Sequence, residues 1–122
     1  MNQARTANGV PHLTRSAVLT RPARSHSTHL AASGTLTHTG ADGKPFYTRL
    51  YGAGYPRTKA VAENLAMAGG CSSDMGRTIV EMWLKSPKHR RNLLSRRYTR
   101  VGVGVVADTA CARTAFTADF GG

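Results

Sequence analysis

The sequence predicts one α+β domain, and three observations carry that expectation. Apolar residues recur at helical spacing in several stretches between Ser16 and Leu94. Two alternating stretches near the C-terminus flank a polar turn, as an antiparallel hairpin does. A chain of 122 residues holds one core and not two, so the domain is expected to span residues 1–122.

The elements follow in order. Residues 2–8 read as a short helix ended by Asn8-Gly9, with Pro11 beyond. Ser16 suits an N-cap, and Leu19, Ala23, His26 and Leu30 then repeat at helical spacing up to Ser33-Gly34. Pro22 lies inside that pattern, so the helix either kinks there or starts later. "THTGADGKP" is loop chemistry with an Asp42-Gly43 turn, after which Pro45 opens a short helix with Phe46, Leu50 and Tyr47 as its apolar face. "KAVAENLA" reads as extended chain, broken by Gly69-Gly70. Ser73 or Asp74 caps the clearest helix, whose apolar face is Met75, Ile79, Met82 and Trp83. Ser86-Pro87 stops it and starts another, because Ser favours the cap and Pro the first helical position; Leu93 and Leu94 point inward from it. "VGVGVVAD" and "ARTAFTADFG" form the hairpin, with Gly102 and Gly104 on one face, leaving it flat enough for close packing.

Charge is the most unusual global property. Seventeen Lys and Arg face six Asp and Glu, for a formal charge of +11. Such a surface attracts anions of any kind: nucleic acid, anionic lipid or acidic wall polymer. A GC-rich bacterial genome produces a similar arginine excess, so charge alone does not establish a binding face. The densest run supplies candidate anion-binding residues Lys85, Lys88, Arg90, Arg91, Arg96, Arg97 and Arg100; the alternative for such a run is a solvated face. Few aromatics are interleaved with it, which argues against single-stranded nucleic acid.

Cys71 and Cys111 lie far apart without a C-x-x-C motif, which suits one disulfide in an oxidising compartment or two unrelated thiols. No apolar run approaches the ~20 residues of a membrane span, and the first ten residues lack a signal-peptide apolar region. Met1 directly precedes a helix-like segment, as expected if an export signal or a longer N-terminal region has been removed.

The chemical inventory is short. There is no G-x-S-x-G, H-E-x-x-H, P-loop or G-x-G-x-x-G, and neither cysteine has an adjacent histidine. Glu63 stands out inside apolar "AVAENLAMA": a carboxylate there either faces water from an edge strand or is paired, because burying it alone is very costly. His38 lies at the mouth of a loop, and His89 sits among Lys88, Arg90 and Arg91, whose charge favours a neutral ring. His26, on the apolar stripe of its helix, reads as a hydrogen-bonded core histidine, and Glu81 as solvated.

"HSTHLAASGTLTHTGADGKPF", "AENLA", "WLKSPKHRRNLL" and "VGVGVV…FTADFG" occur in this order. Together they resemble the bacterial branch of the CAP superfamily (cysteine-rich secretory, antigen 5 and pathogenesis-related 1 proteins), also called the SCP domain. The resemblance runs from about Asn2 to Gly121. It implies an α-β-α sandwich with a small antiparallel sheet between helical layers, and a secreted or cell-wall-associated protein, expected to be a monomer.

It also implies a central cleft holding His38 from "H-T-G", Glu63 from "A-E-N-L-A" and His89 from "S-P-K-H-R-x-N". In some members the histidine pair binds zinc or another divalent cation, with Glu63 here as ligand or supporting group and water completing the shell. The sequence departs from the family at Ala62, where glycine is usual, and near Ser86, where animal and plant members carry a second glutamate. Three functions follow as expectations: a cleft binding a small ligand or divalent metal; a metal-assisted hydrolase using His38, Glu63 and His89; or adhesion to an anionic polymer or lipid through the basic run.

Overall fold

A four-stranded sheet separates two helical layers in the computed structural model, which describes residues Met1–Gly122. In chain order the elements are α1 (Asn2–Ala7), β1 (Thr14–Arg15), α2 (Ala17–Ser33), α3 (Phe46–Gly52), β2 (Val61–Gly69), α4 (Met75–Lys85), α5 (Pro87–Leu94), β3 (Arg100–Ala107) and β4 (Arg113–Gly121). The sheet order is β1-β3-β4-β2. It is antiparallel except where the two residues of β1 run parallel to β3, which makes it mixed overall.

The layer of α2 and α3 is set by one long helix. Ser16 caps α2, its Oγ accepting from Leu19 N at 3.2 Å. Gly34 closes it with φ 71° and donates its N–H to Leu30 O at 2.8 Å. The helix includes Pro22 and begins at Ala17, so the proline removes one backbone donor without delaying the start. Leu19, Ala23, His26 and Leu30 are all buried, as their spacing predicts. They reach the sheet closely because Gly102 and Gly104 lack side chains: a Cβ on either would run into the α2 backbone at Leu19–Thr20 or Ala23–Arg24. Ser27 Oγ locks this contact, donating to Gly104 O at 2.8 Å with Thr117 Oγ1 also 2.8 Å away.

The opposite layer holds the larger apolar cluster, with Ile79 and Trp83 of α4, Leu93 of α5, Leu13, and Phe116, Ala118 and Phe120 of β4. Trp83 also donates its indole N–H to Leu65 O at 3.0 Å, occupying a carbonyl on β2, the last strand of the sheet. Two apolar-face assignments fail. Met82 is 50% exposed and Tyr47 47% exposed, because the buried stripes of α4 and α3 narrow to Ile79–Trp83 and Leu50.

Arg5 of α1 is buried without a carboxylate. Its guanidinium donates to Pro11 O, Leu93 O, Ser95 O and Tyr98 O at 2.7–3.2 Å, tying α1 to the end of α5. Cys71 and Cys111 form a disulfide with Cα atoms 5.3 Å apart, joining the end of β2 to the β3–β4 turn.

Candidate functional site

The candidate site is built around β2, where successive side chains serve different layers. Glu63 points towards the α2–α3 layer. It lies opposite Asp119 of β4 in the strand register, and its side chain is completely buried. Of the two readings left open for Glu63, facing water or paired, the structure has the paired one, with two partners on a buried carboxylate. His38 Nδ1 lies 2.9 Å from Glu63 Oε1, and Arg49 of α3 donates to Oε2 at 2.5 Å. Arg49 also donates to His38 O at 2.9 Å, so one guanidinium fixes both the carboxylate and the loop bearing the histidine. His26 helps from below, its Nε2 being 2.7 Å from Thr37 O, the residue before His38.

Burial opposes ionisation of Glu63, but the hydrogen bond from His38, the nearby Asp119 carboxyl, and the charge and hydrogen bond of Arg49 together outweigh it. The Glu63 pKa is held below the usual carboxylate value. A carboxylate accepts only, so His38 Nδ1 carries the proton of this hydrogen bond. In the neutral ring, Nε2 is then left with a free lone pair, and no protein group meets it.

Asp119 is the counterpart. It is fully buried and neither side-chain oxygen has a hydrogen-bond partner at short range. Burial, followed by the neighbouring Glu63 carboxylate, pushes its pKa well above the ordinary value. Two facing carboxyls cannot both ionise cheaply in a dry interior, so Glu63 takes the charge and Asp119 keeps the proton.

Asn64, the next residue of β2, serves the other layer. Its Nδ2 donates to His89 O at 2.9 Å, and its Oδ1 accepts from Asn92 Nδ2 at 3.0 Å, which docks α5 against the strand. His89 is half-buried, with Nδ1 3.0 Å from Ser86 Oγ and its ring beside Trp83 at 6.4 Å between centroids. Ser86 thus sits at the N-cap of α5 but contributes no capping bond from its side chain; its hydroxyl meets the histidine instead. The His89 pKa is lowered, first by burial and then by the charge of His38. The sequence-based cause, repulsion from Lys88, Arg90 and Arg91, is replaced by these two.

The structure therefore joins His38 to Glu63 directly and mounts His89 on the adjacent α5. No three His, Cys, Asp or Glu side chains form a metal-ligand cluster. Both Glu63 oxygens are already engaged, one by His38 and the other by Arg49. Arg49 and Asp119 escaped sequence reasoning, while Asn64 and Asn92 stood inside A-E-N-L-A and S-P-K-H-R-x-N without being given a role. Asp119 also had a readable signal: in β4 it alternates with Phe116, Ala118 and Phe120, which places it on the opposite, α2-facing side.

The seven residues of the basic run are all exposed. Two of them also act within the fold: Arg90 donates to Asn8 Oδ1 at 3.2 Å and Arg96 to Gly9 O at 2.5 Å. None of the seven pairs with a carboxylate.

Comparison with known proteins places these features in a wider set. Residues 1–120 match the model of the cysteine-rich secretory protein (CAP) family. An extracellular protein containing a SCP domain from Bacillus anthracis is similar in structure, with a TM-score of 0.80 and 27% identity, over 98% of this chain and 36% of that one. An outer surface protein from Borrelia burgdorferi shares the fold with a TM-score of 0.78 and 23% identity, over 98% of this chain and 84% of that one. So does a cysteine-rich secretory protein from Staphylococcus aureus, with a TM-score of 0.73 and 21% identity, over 98% of this chain and 35% of that one. No curated protein matches the chain in sequence.

Proposed function

The chain belongs to the cysteine-rich secretory protein (CAP) family, and from that premise we propose that it is an extracellular binding domain whose cleft takes a divalent cation, zinc being the best probe, through His38 and His89. The neighbours described as extracellular or outer-surface proteins support the location. The observation that carries the binding assignment is the like treatment of the two imidazoles. Each ring has Nδ1 engaged by a side-chain oxygen, Glu63 Oε1 or Ser86 Oγ, and each leaves Nε2 without a protein partner. Holding one ring nitrogen to orient the other is how proteins prepare histidines as metal ligands.

Two imidazoles form a sparse donor set, so water or the donor atoms of a small ligand complete the shell and the affinity is modest. A bound cation supplies positive charge for holding a small anionic ligand. Glu63 orients His38 and favours the tautomer with a free Nε2. A hydrolase would need more: a nucleophile or activated water and a group to stabilise developing charge, and the sequence offers no motif for either.

Thermal unfolding with and without zinc tests the proposal. Zinc at about 100 times its Kd raises stability by roughly 2.7 kcal/mol. His38→Ala and His89→Ala each remove most of the rise in Tm, and Ser86→Ala weakens zinc binding about tenfold or more by releasing His89. A Tm indifferent to zinc, or an undiminished rise in the His38→Ala/His89→Ala variant, contradicts the assignment. Metal-dependent turnover that disappears with Glu63→Gln would move the protein to the hydrolase reading.

A further inference from the structure

Away from the cleft, three arginines gather where no carboxylate meets them. Arg15 of β1 and Arg21 and Arg24 of α2 line, with Ala17 and Thr20, a surface concavity of about 590 Å³. Arg21 and Arg24 are three residues apart and share a helix face, while Arg15 stands just before the Ser16 cap. All three are exposed and none takes part in a salt bridge. Like charges held together repel one another, and an anion between them relieves that repulsion.

The helix adds to the same field. α2 is 17 residues long and has no acidic residue in its first turn, so beyond the neutral Ser16 cap no negative side chain offsets the positive end of its dipole. The chemistry of the lining narrows the ligand. Guanidinium forks match phosphate oxygens in pairs. The lining has no aromatic ring on which a base could stack, and no large aliphatic side chain to enter a bilayer. The basic run from Lys85 to Arg100 differs, since Arg90 and Arg96 hold Asn8 and Gly9.

We propose that Arg15, Arg21 and Arg24 form a cradle for the phosphate groups of a linear polyanion, separate from the histidine cleft. The test measures binding of long-chain inorganic polyphosphate at several salt concentrations. It compares the wild-type protein with Arg15→Ala/Arg21→Ala/Arg24→Ala and with Lys44→Ala/Arg57→Ala/Arg77→Ala, which removes the same charge from other exposed positions. The cradle variant is expected to lose at least tenfold in affinity. Its slope of log K against log salt falls by about two, since each phosphate neutralised on a single-stranded polyanion accounts for ~0.7. The comparison variant loses less than threefold.

Replacing the three arginines by lysine keeps the charge and removes the fork, and gives an intermediate loss at an unchanged Tm. That conservative variant keeps the test decisive if the alanine variant folds poorly. Equal weakening by the two alanine variants overturns the proposal in favour of undirected attraction to net charge. So does cradle-dependent binding to phosphatidylglycerol vesicles without binding to polyphosphate, which would make the face a membrane contact.

Discussion

Glu63 and Asn64 are adjacent in the chain and hold the two histidines from opposite sides of one strand. Glu63 fixes the His38 ring; Asn64 fixes the main chain that carries His89. The sequence made His38, Glu63 and His89 legible because each sits in a short motif. Arg49 and Asp119 were invisible as partners because their roles depend on contacts across the fold, Arg49 from α3 and Asp119 through the β2–β4 register. Asp119 gives a prediction with a definite sign. Its folded pKa lies above the unfolded value near 3.8, so the folded state holds the extra proton between the two. Its contribution is complete below the unfolded pKa and declines as pH rises through the folded one. Glu63, His26 and His89, all shifted down, contribute in the opposite sense and lose stability as pH falls. Subtracting the stability-versus-pH curve of Asp119→Asn from that of wild type therefore isolates a loss that begins near pH 4 and grows upward. Parallel curves would show that Asp119 is not the proton carrier.

Among the elements, the contact between α2 and β3 shows how small residues set a layer spacing. Gly102 and Gly104 are needed for lack of a side chain, since α2 backbone occupies the space a Cβ would take. Gly104→Ala is expected to cost about 2 kcal/mol or more in denaturant unfolding, by forcing helix and sheet apart. Gly52, at the end of α3 with open space around its Cα, serves as control, and Gly52→Ala stays within ~0.5 kcal/mol of wild type. A loss at Gly52 matching that at Gly104 would contradict the packing argument. This contact was legible because both glycines fall on one face of an alternating strand. The faces of α4 and α3 were less so. Helical spacing marks a stripe, but only the packing decides how wide the covered part is, and Met82 and Tyr47 lie beyond it.

At the scale of the whole molecule, the three layers followed from motifs in order, whereas the ties between distant segments did not. A buried arginine serving four carbonyls has no sequence signature, and Arg5 reads as an ordinary residue of a polar helix. The cysteine pair left a disulfide and two thiols both open; the fold resolves it by bringing the end of β2 beside the β3–β4 turn. That bond closes a separation of 40 residues, for which the chain-entropy model gives up to ~4 kcal/mol. Cys71→Ser/Cys111→Ser should fall in stability by roughly 2–4 kcal/mol in urea unfolding, and the reduced wild-type protein should match it. An unchanged midpoint would mean the link constrains little.

The central claim is that His38 and His89 form one binding site through their outward nitrogens. Long-range ¹H–¹⁵N NMR of the imidazole rings during a zinc titration tests it most directly. The account predicts that the Nε2 resonances of His38 and His89 shift together with one saturation curve, while His12, His26 and His29 stay in place. Zinc-induced shifts at other histidines alone, or at His38 and His89 with separate curves, would contradict it.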